Sequence, residues 1–248
     1  MNATTTPRYK WLYILPNLFT TFTLSAGFYS IVMSVQGNFI AAAMAIFIAF
    51  FADGFDGVTA RLTNTQSKFG AEYDSFSDLI AFGLAPALLA YLWSISSLGK
   101  YSWLIALFYT ATAAIRLARF NAQLATNEKN YFRGLPSPIA AGMMSSTIYL
   151  CNHYAISGLR MSYLIVILSV VLSALMVSTV RYYSIRSLDS KLKKLIFIMV
   201  LLITIILTIH SHPEGFFCAF LFYIVSTVFI YSPNFIFKKN TSLKTNAI

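Results

Sequence analysis

Charge is what this sequence has least of. Residues of either sign make up 10% of its 248 positions, with eight acids against eighteen Lys and Arg, while hydrophobic types reach 58% and mean hydropathy is +0.69. Soluble domains carry roughly 25% charge, so the composition excludes that class and indicates a polytopic membrane protein. Cysteine is scarce as well: Cys151 and Cys218 sit in apolar segments without metal-ligand spacing, which removes thiolate metal sites and a disulfide framework and leaves packing as their role. Alternating apolar and polar residues, the mark of barrel strands, are missing, so the spans are expected to be helices. No basic stretch is interleaved with aromatics, and the formal charge of +10 is therefore not a sign of nucleic-acid binding.

What is present is a series of uncharged runs, several close to the roughly 20 residues a helix needs to cross a bilayer. The run from Ile14 to Val35 is too long for a cleaved secretory signal and reads as a first span, with Trp11 and Tyr13 at the interface. Further spans are expected near 38–60, 74–94, 101–120, 138–153, 161–181, 194–210 and 215–232, an all-α architecture of about eight transmembrane helices with both termini cytoplasmic. The basic residues test that count. Sixteen fall on the side of the termini and of the loops after even-numbered spans, and only Lys100 and Arg160 fall opposite. This asymmetry marks the sixteen-residue side as cytoplasmic, in a multi-pass protein of the cell membrane. His153, His210 and His212 then lie on the outer side and receive no chemistry.

Five of the eight acids crowd into residues 53–78. Asp53, Asp56, Gly57 and Ala60 recur at helical spacing, as do Asp74 and Asp78, so each set shares one helix face. Fourteen uncharged residues, Phe39 to Ala52, precede Asp53 and place it near the cytoplasmic edge of the hydrocarbon. A short connection returns the chain with Asp74 and Asp78, bringing the two acidic faces together. Carboxylates gathered at a membrane edge repel one another unless they protonate or share a cation, and hard oxygen donors favour Mg²⁺, Mn²⁺ or Ca²⁺. Solvated loop acids, the bland alternative, would have no need of helical spacing. Glu72 points about 120° from Asp78 at roughly 100° per residue and stands outside the set.

The run Asp53, Asp56, Gly57, Ala60, Arg61, Gly70, Asp74, Asp78 resembles, at each defined position and spacing, the signature of the CDP-alcohol phosphatidyltransferase family. PNLFT at 16–20, RLARFN at 116–121, FRGLPSPIAAG at 132–142 and MVSTVRYYS at 176–184 resemble its bacterial and archaeal phosphatidylserine synthase branch. One departure is Val58, where many members of that branch carry Arg, so a phosphate contact from that side chain is absent. The resemblance divides the chain into an interfacial segment 1–13, a six-helix catalytic core 14–186, two added helices in 187–232 read as packing or oligomer contacts, and a basic tail 233–248.

The resemblance implies transfer of the phosphatidyl group of CDP-diacylglycerol to the hydroxyl of L-serine with release of CMP, in a homodimer. It implies one or two Mg²⁺ or Mn²⁺ ions held by Asp53, Asp56, Asp74 and Asp78, with Asp78 also the general base. Asp56, Gly57, Ala60, Arg61 and Gly70 would bind the CDP group, the small residues admitting the nucleotide or simply packing helices closely. Serine brings a carboxylate, and Arg suits planar carboxylates; Arg116, Arg119, Asn121 and Arg133 are the residues expected to meet it or a phosphate, with topology anchoring as the alternative. Arg181 and Arg186 read as anchors, and Asn17 and Thr20 as capping or contact residues. Other acceptors within the family, giving phosphatidylglycerophosphate, inositol-phosphate or cardiolipin-type products, share the core motif. Intramembrane prenyltransferases lack the Gly57, Ala60, Arg61 and Gly70 positions, and a metal transporter would place acids at the midplane.

Overall fold

A computed structural model describes residues 14–62, 67–125, 132–178, 181–182 and 214–225. The first described element is helix α1 (Ile14–Val35), which turns into α2 (Phe39–Leu62) over three residues. Gly37 makes this turn with φ of 76°, a conformation that costs a residue with a Cβ, and its N–H and that of Asn38 reach back to the carbonyls of Ser34 and Met33. Asn38 Oδ1 then accepts from the N–H of Ala41 at 3.2 Å and starts α2. Two apolar helices joined so tightly pack antiparallel along their length.

Helix α3 (Lys68–Asp78) begins under the Ser67 hydroxyl, which accepts from Gly70 N–H at 2.9 Å. It continues into a π-helical turn, Leu79–Leu84, and then into α4 (Ala85–Trp93), so that Phe69–Trp93 forms one span. Pro86 stands at the start of α4. Its ring crowds the carbonyl four residues back and offers no N–H, and the wider turn immediately upstream relieves that conflict. Gly27 of α1 seats against this turn: a Cβ there would lie 2.6 Å from Ala81 Cα.

Helices α5 (Trp103–Ala125), α6 (Ser137–His153) and α7 (Gly158–Val177) follow, and α8 covers Glu214–Val225. Among the described residues, four spans are long and apolar enough to cross a membrane, in α1, α3–α4, α5 and α7, and α2 and α8 add shorter apolar helices. The core lies where α2, the π turn, α4 and α6 meet, around Ile46, Phe82, Leu89, Met144 and Ile148, all fully buried. Phe28, Trp103, Tyr163 and Ile167 face outward, as a lipid-facing surface requires.

Two features depart from the expected pattern. The sixth span was expected over 161–181, but α7 ends at Val177, and Arg181–Tyr182 forms a two-residue antiparallel ribbon with Phe132–Arg133. The third span was expected to open at residue 74, yet helix begins at Lys68 and Asp74 and Asp78 ride about two and three turns inside it. Gly134, with φ of 90°, follows the ribbon, and a Cβ there would lie 2.1 Å from the carbonyl oxygen of Met176; only glycine admits that approach of α7. The expected span 194–210 lies outside the described residues, as do residues 226–232 of the last one.

Candidate active site

The two acidic faces meet. One carboxylate oxygen from each of Asp53, Asp74 and Asp78 lies within 4.8 Å of the others, all three side chains half-buried. Asp53 comes from the last turns of α2, Asp74 and Asp78 from successive turns of α3. Three hard oxygen donors so close together fit a divalent cation of the Mg²⁺, Mn²⁺ or Ca²⁺ kind. Asp56, Gly57, Ala60 and Arg61 follow on the helical backbone of α2, with side chains outside the described set.

A frame of hydroxyls fixes α3 against its neighbours. The buried Ser77 hydroxyl donates to the carbonyl of Thr20 at 3.0 Å, and Tyr73 and Thr21 pair their hydroxyls at 2.9 Å, both tying α3 to α1. Ser75 pairs with Asn121 of α5, whose Nδ2 donates to Ser75 Oγ at 2.9 Å and reaches Glu72 at 3.5 Å. Asn121, expected among substrate contacts, thus braces the back of the acidic helix, and Glu72 stands apart from the aspartate group with it. Gly70, expected beside the nucleotide, sits between the Ser67 hydroxyl and Asn17, 3.1 and 3.5 Å from where its Cβ would be. None of Ser75, Ser77 or Tyr73 was singled out in the sequence; serines between two aspartates in an apolar span were the available signal.

The arginines divide by role. Arg116 of α5 is 9% exposed, donates from Nη1 to Ser137 Oγ at 2.6 Å and lies within electrostatic range of Asp78 and Asp53. A guanidinium this deep needs partners for its five N–H groups and a compensating charge. Ser137, the serine inside the PSPIAAG run, was not picked out in advance. Arg119, one turn on, donates to the carbonyls of Val177 and Ser178 at 3.1 and 3.3 Å, closing the end of α7. Arg133 lies on the ribbon, its Cα opposite that of Arg181, with its side chain outside the described set. The structure therefore brings Arg116 to the aspartates and sends Arg119 and Asn121 to neighbouring helices.

Comparison with known proteins adds to this geometry. The family model described as CDP-alcohol phosphatidyltransferase matches residues 13–175. A CDP-diacylglycerol–serine O-phosphatidyltransferase of Helicobacter pylori is 34% identical over 231 residues, 93% of this chain and 98% of its own. An archaetidylserine synthase of Methanothermobacter thermautotrophicus is 36% identical over 171 residues, 68% of this chain and 69% of its own. A CDP-diacylglycerol–serine O-phosphatidyltransferase of Mycobacterium bovis is 36% identical over 140 residues, 54% of this chain and 48% of its own.

Proposed function

Because the chain belongs to the CDP-alcohol phosphatidyltransferase family, we propose that it transfers the phosphatidyl group of CDP-diacylglycerol to L-serine, releasing CMP. The observation that carries the reading is the aspartate group built from the family signature, Asp53, Asp74 and Asp78 within 4.8 Å of one another. A pyrophosphate brought beside these carboxylates is repelled unless cations lie between. A bound divalent cation supplies that charge neutralisation and draws electron density from the phosphate oxygens.

Asp53, Asp56, Asp74 and Asp78 would hold the cation, and Gly57, Ala60, Arg61 and Gly70 would flank the nucleotide. Asp78 accepts the proton of the serine hydroxyl. The freed pair on the serine oxygen forms a new bond to the phosphorus of the phosphatidyl group, the bond from that phosphorus to the CMP oxygen breaks, and CMP leaves with the electrons of the broken bond. Phosphoryl-type transfer is governed by positioning and charge stabilisation, and the hydroxyl frame around α3 supplies the positioning. Arg116 faces the carboxylate of serine, with Ser137 fixing its angle. Arg119 keeps α5 on α7, so that Arg116 stays in the pocket. The enzyme works in the cell membrane with about eight spans, as a homodimer, with the site on the cytoplasmic face.

Purified protein given CDP-diacylglycerol, Mg²⁺ or Mn²⁺ and a panel of alcohols should release CMP with L-serine preferred, and stripping the metal with EDTA should abolish release until Mg²⁺ or Mn²⁺ is restored. Silence with every alcohol would overturn the enzyme reading. Preference for glycerol phosphate or inositol phosphate would move the chain to another acceptor class within the family.

A further inference from the structure

Helix α3 carries four different faces. At roughly 100° per residue, Phe69 and Phe76 share one face and are exposed, while Asp74 and Asp78 lie almost opposite. Tyr73 and Ser77 stand on one flank between these faces, and both reach α1, Tyr73 through the Thr21 hydroxyl and Ser77 through the Thr20 carbonyl. Glu72 and Ser75 stand on the other flank, one turn apart, and both are met by a single side chain, Asn121 of α5. The aspartate face is held between two braces.

The brace from α5 has a direction. Asn121 Nδ2 carries two hydrogens and donates to Ser75 Oγ at 2.9 Å and to Glu72 Oε2 at 3.5 Å, while Ser75 donates its own hydrogen to the Ala71 carbonyl at 3.0 Å. A carboxylate only accepts, so Glu72 keeps the nitrogen end of the amide toward α3. Contacts one turn apart resist rotation of α3 about its own axis. That rotation matters because Asp74 and Asp78 ride on α3 while Asp53 rides on α2. A turn of roughly 10° carries a carboxylate about 5–6 Å from the helix axis through about 1 Å. Oxygen distances around Mg²⁺ and Ca²⁺ differ by only about 0.4 Å, and Mg²⁺ demands a near-octahedral set where Ca²⁺ accepts a loose one.

We propose that Asn121 is a positioning residue of the metal centre: its grip on Ser75 and Glu72 holds Asp74 and Asp78 at the spacing from Asp53 that a small cation requires, and so favours Mg²⁺ over Ca²⁺. This rests on the reading that the aspartate group holds a divalent cation. It gives Glu72, the acid outside the metal set, a task of its own, and it takes Asn121 out of the acceptor pocket.

Cation binding to the metal-stripped full chain is read directly, from loss of the free Mn²⁺ resonance signal and its return as Mg²⁺ or Ca²⁺ displaces the bound ion, with the serine KM measured alongside at saturating Mg²⁺. Asn121→Ala should weaken Mg²⁺ binding roughly three- to tenfold, the loss of one or two hydrogen bonds, and Ca²⁺ binding by less than about twofold, with the serine KM unchanged. Ser75→Ala removes one contact and should move Mg²⁺ in the same direction by less; it decides the matter where Asn121→Ala does not fold. The double variant should match Asn121→Ala alone, since the two residues act through one contact. Equal losses for both cations, or a raised serine KM with cation binding intact, would each overturn the proposal. A parent chain that binds no cation would overturn the reading of the aspartate group and the proposal with it, whereas parental binding of Mg²⁺ with Asn121→Ala silent removes Asn121 only.

Discussion

Asp78 is the aspartate on which two duties converge, since it stands both in the carboxylate group and at the junction of α3 with the π turn. Asp78→Asn keeps the shape and removes the base, so kcat should fall by about 10²-fold or more. CDP-diacylglycerol binding, followed by equilibrium retention of the labelled lipid, should survive in part because Asp53 and Asp74 remain. Wild-type turnover would remove Asp78 from the role of base. Residues of this kind were legible in the sequence because their geometry is local: a spacing of three or four places two acids on one face before any tertiary structure is known. Ser137 was not legible. It stands 21 positions from Arg116, and only helix packing brings the two together.

Helices were legible in existence and approximate extent, since apolar runs and glycine turns act along the chain. The π turn was not, although Pro86 inside an apolar run carried its signal; a proline within a span predicts a local conflict without saying how it resolves. The ribbon of Phe132–Arg133 with Arg181–Tyr182 was missed for another reason, because two residues of strand have no periodicity to read. The turn sets how α3 is rotated relative to α4, and Gly27 is its seat. Gly27→Ala should force α1 away from Ala81, lowering the thermal midpoint by a loss of about 1–3 kcal/mol and reducing CMP release with it. Gly54→Ala, with open space around its Cβ, should leave the midpoint at or above that of the parent. Equal midpoints for the two variants would show that the close approach at Gly27 carries no weight.

At the scale of the whole molecule, the basic residues, sixteen to two across the eight expected spans, are the signal from which an orientation is expected. In a background with Cys151 and Cys218 replaced, a cysteine at exposed Ser67 should react with an impermeant reagent applied from the cytoplasmic side, and one at exposed Lys100 only from the other. Labelling of both from one side would overturn the topology. The depth of the site has its own consequence. Asp53 follows 14 uncharged residues of α2, so the carboxylates stand where oil gives way to water. One reactant arrives by lateral diffusion within a sheet and the other through a volume. For the lipid the governing concentration is therefore a number per area of bilayer, lowered by any inert lipid or detergent mixed into it, while for the amino acid it is an ordinary molarity. The enzyme's two affinities are measured in different dimensions.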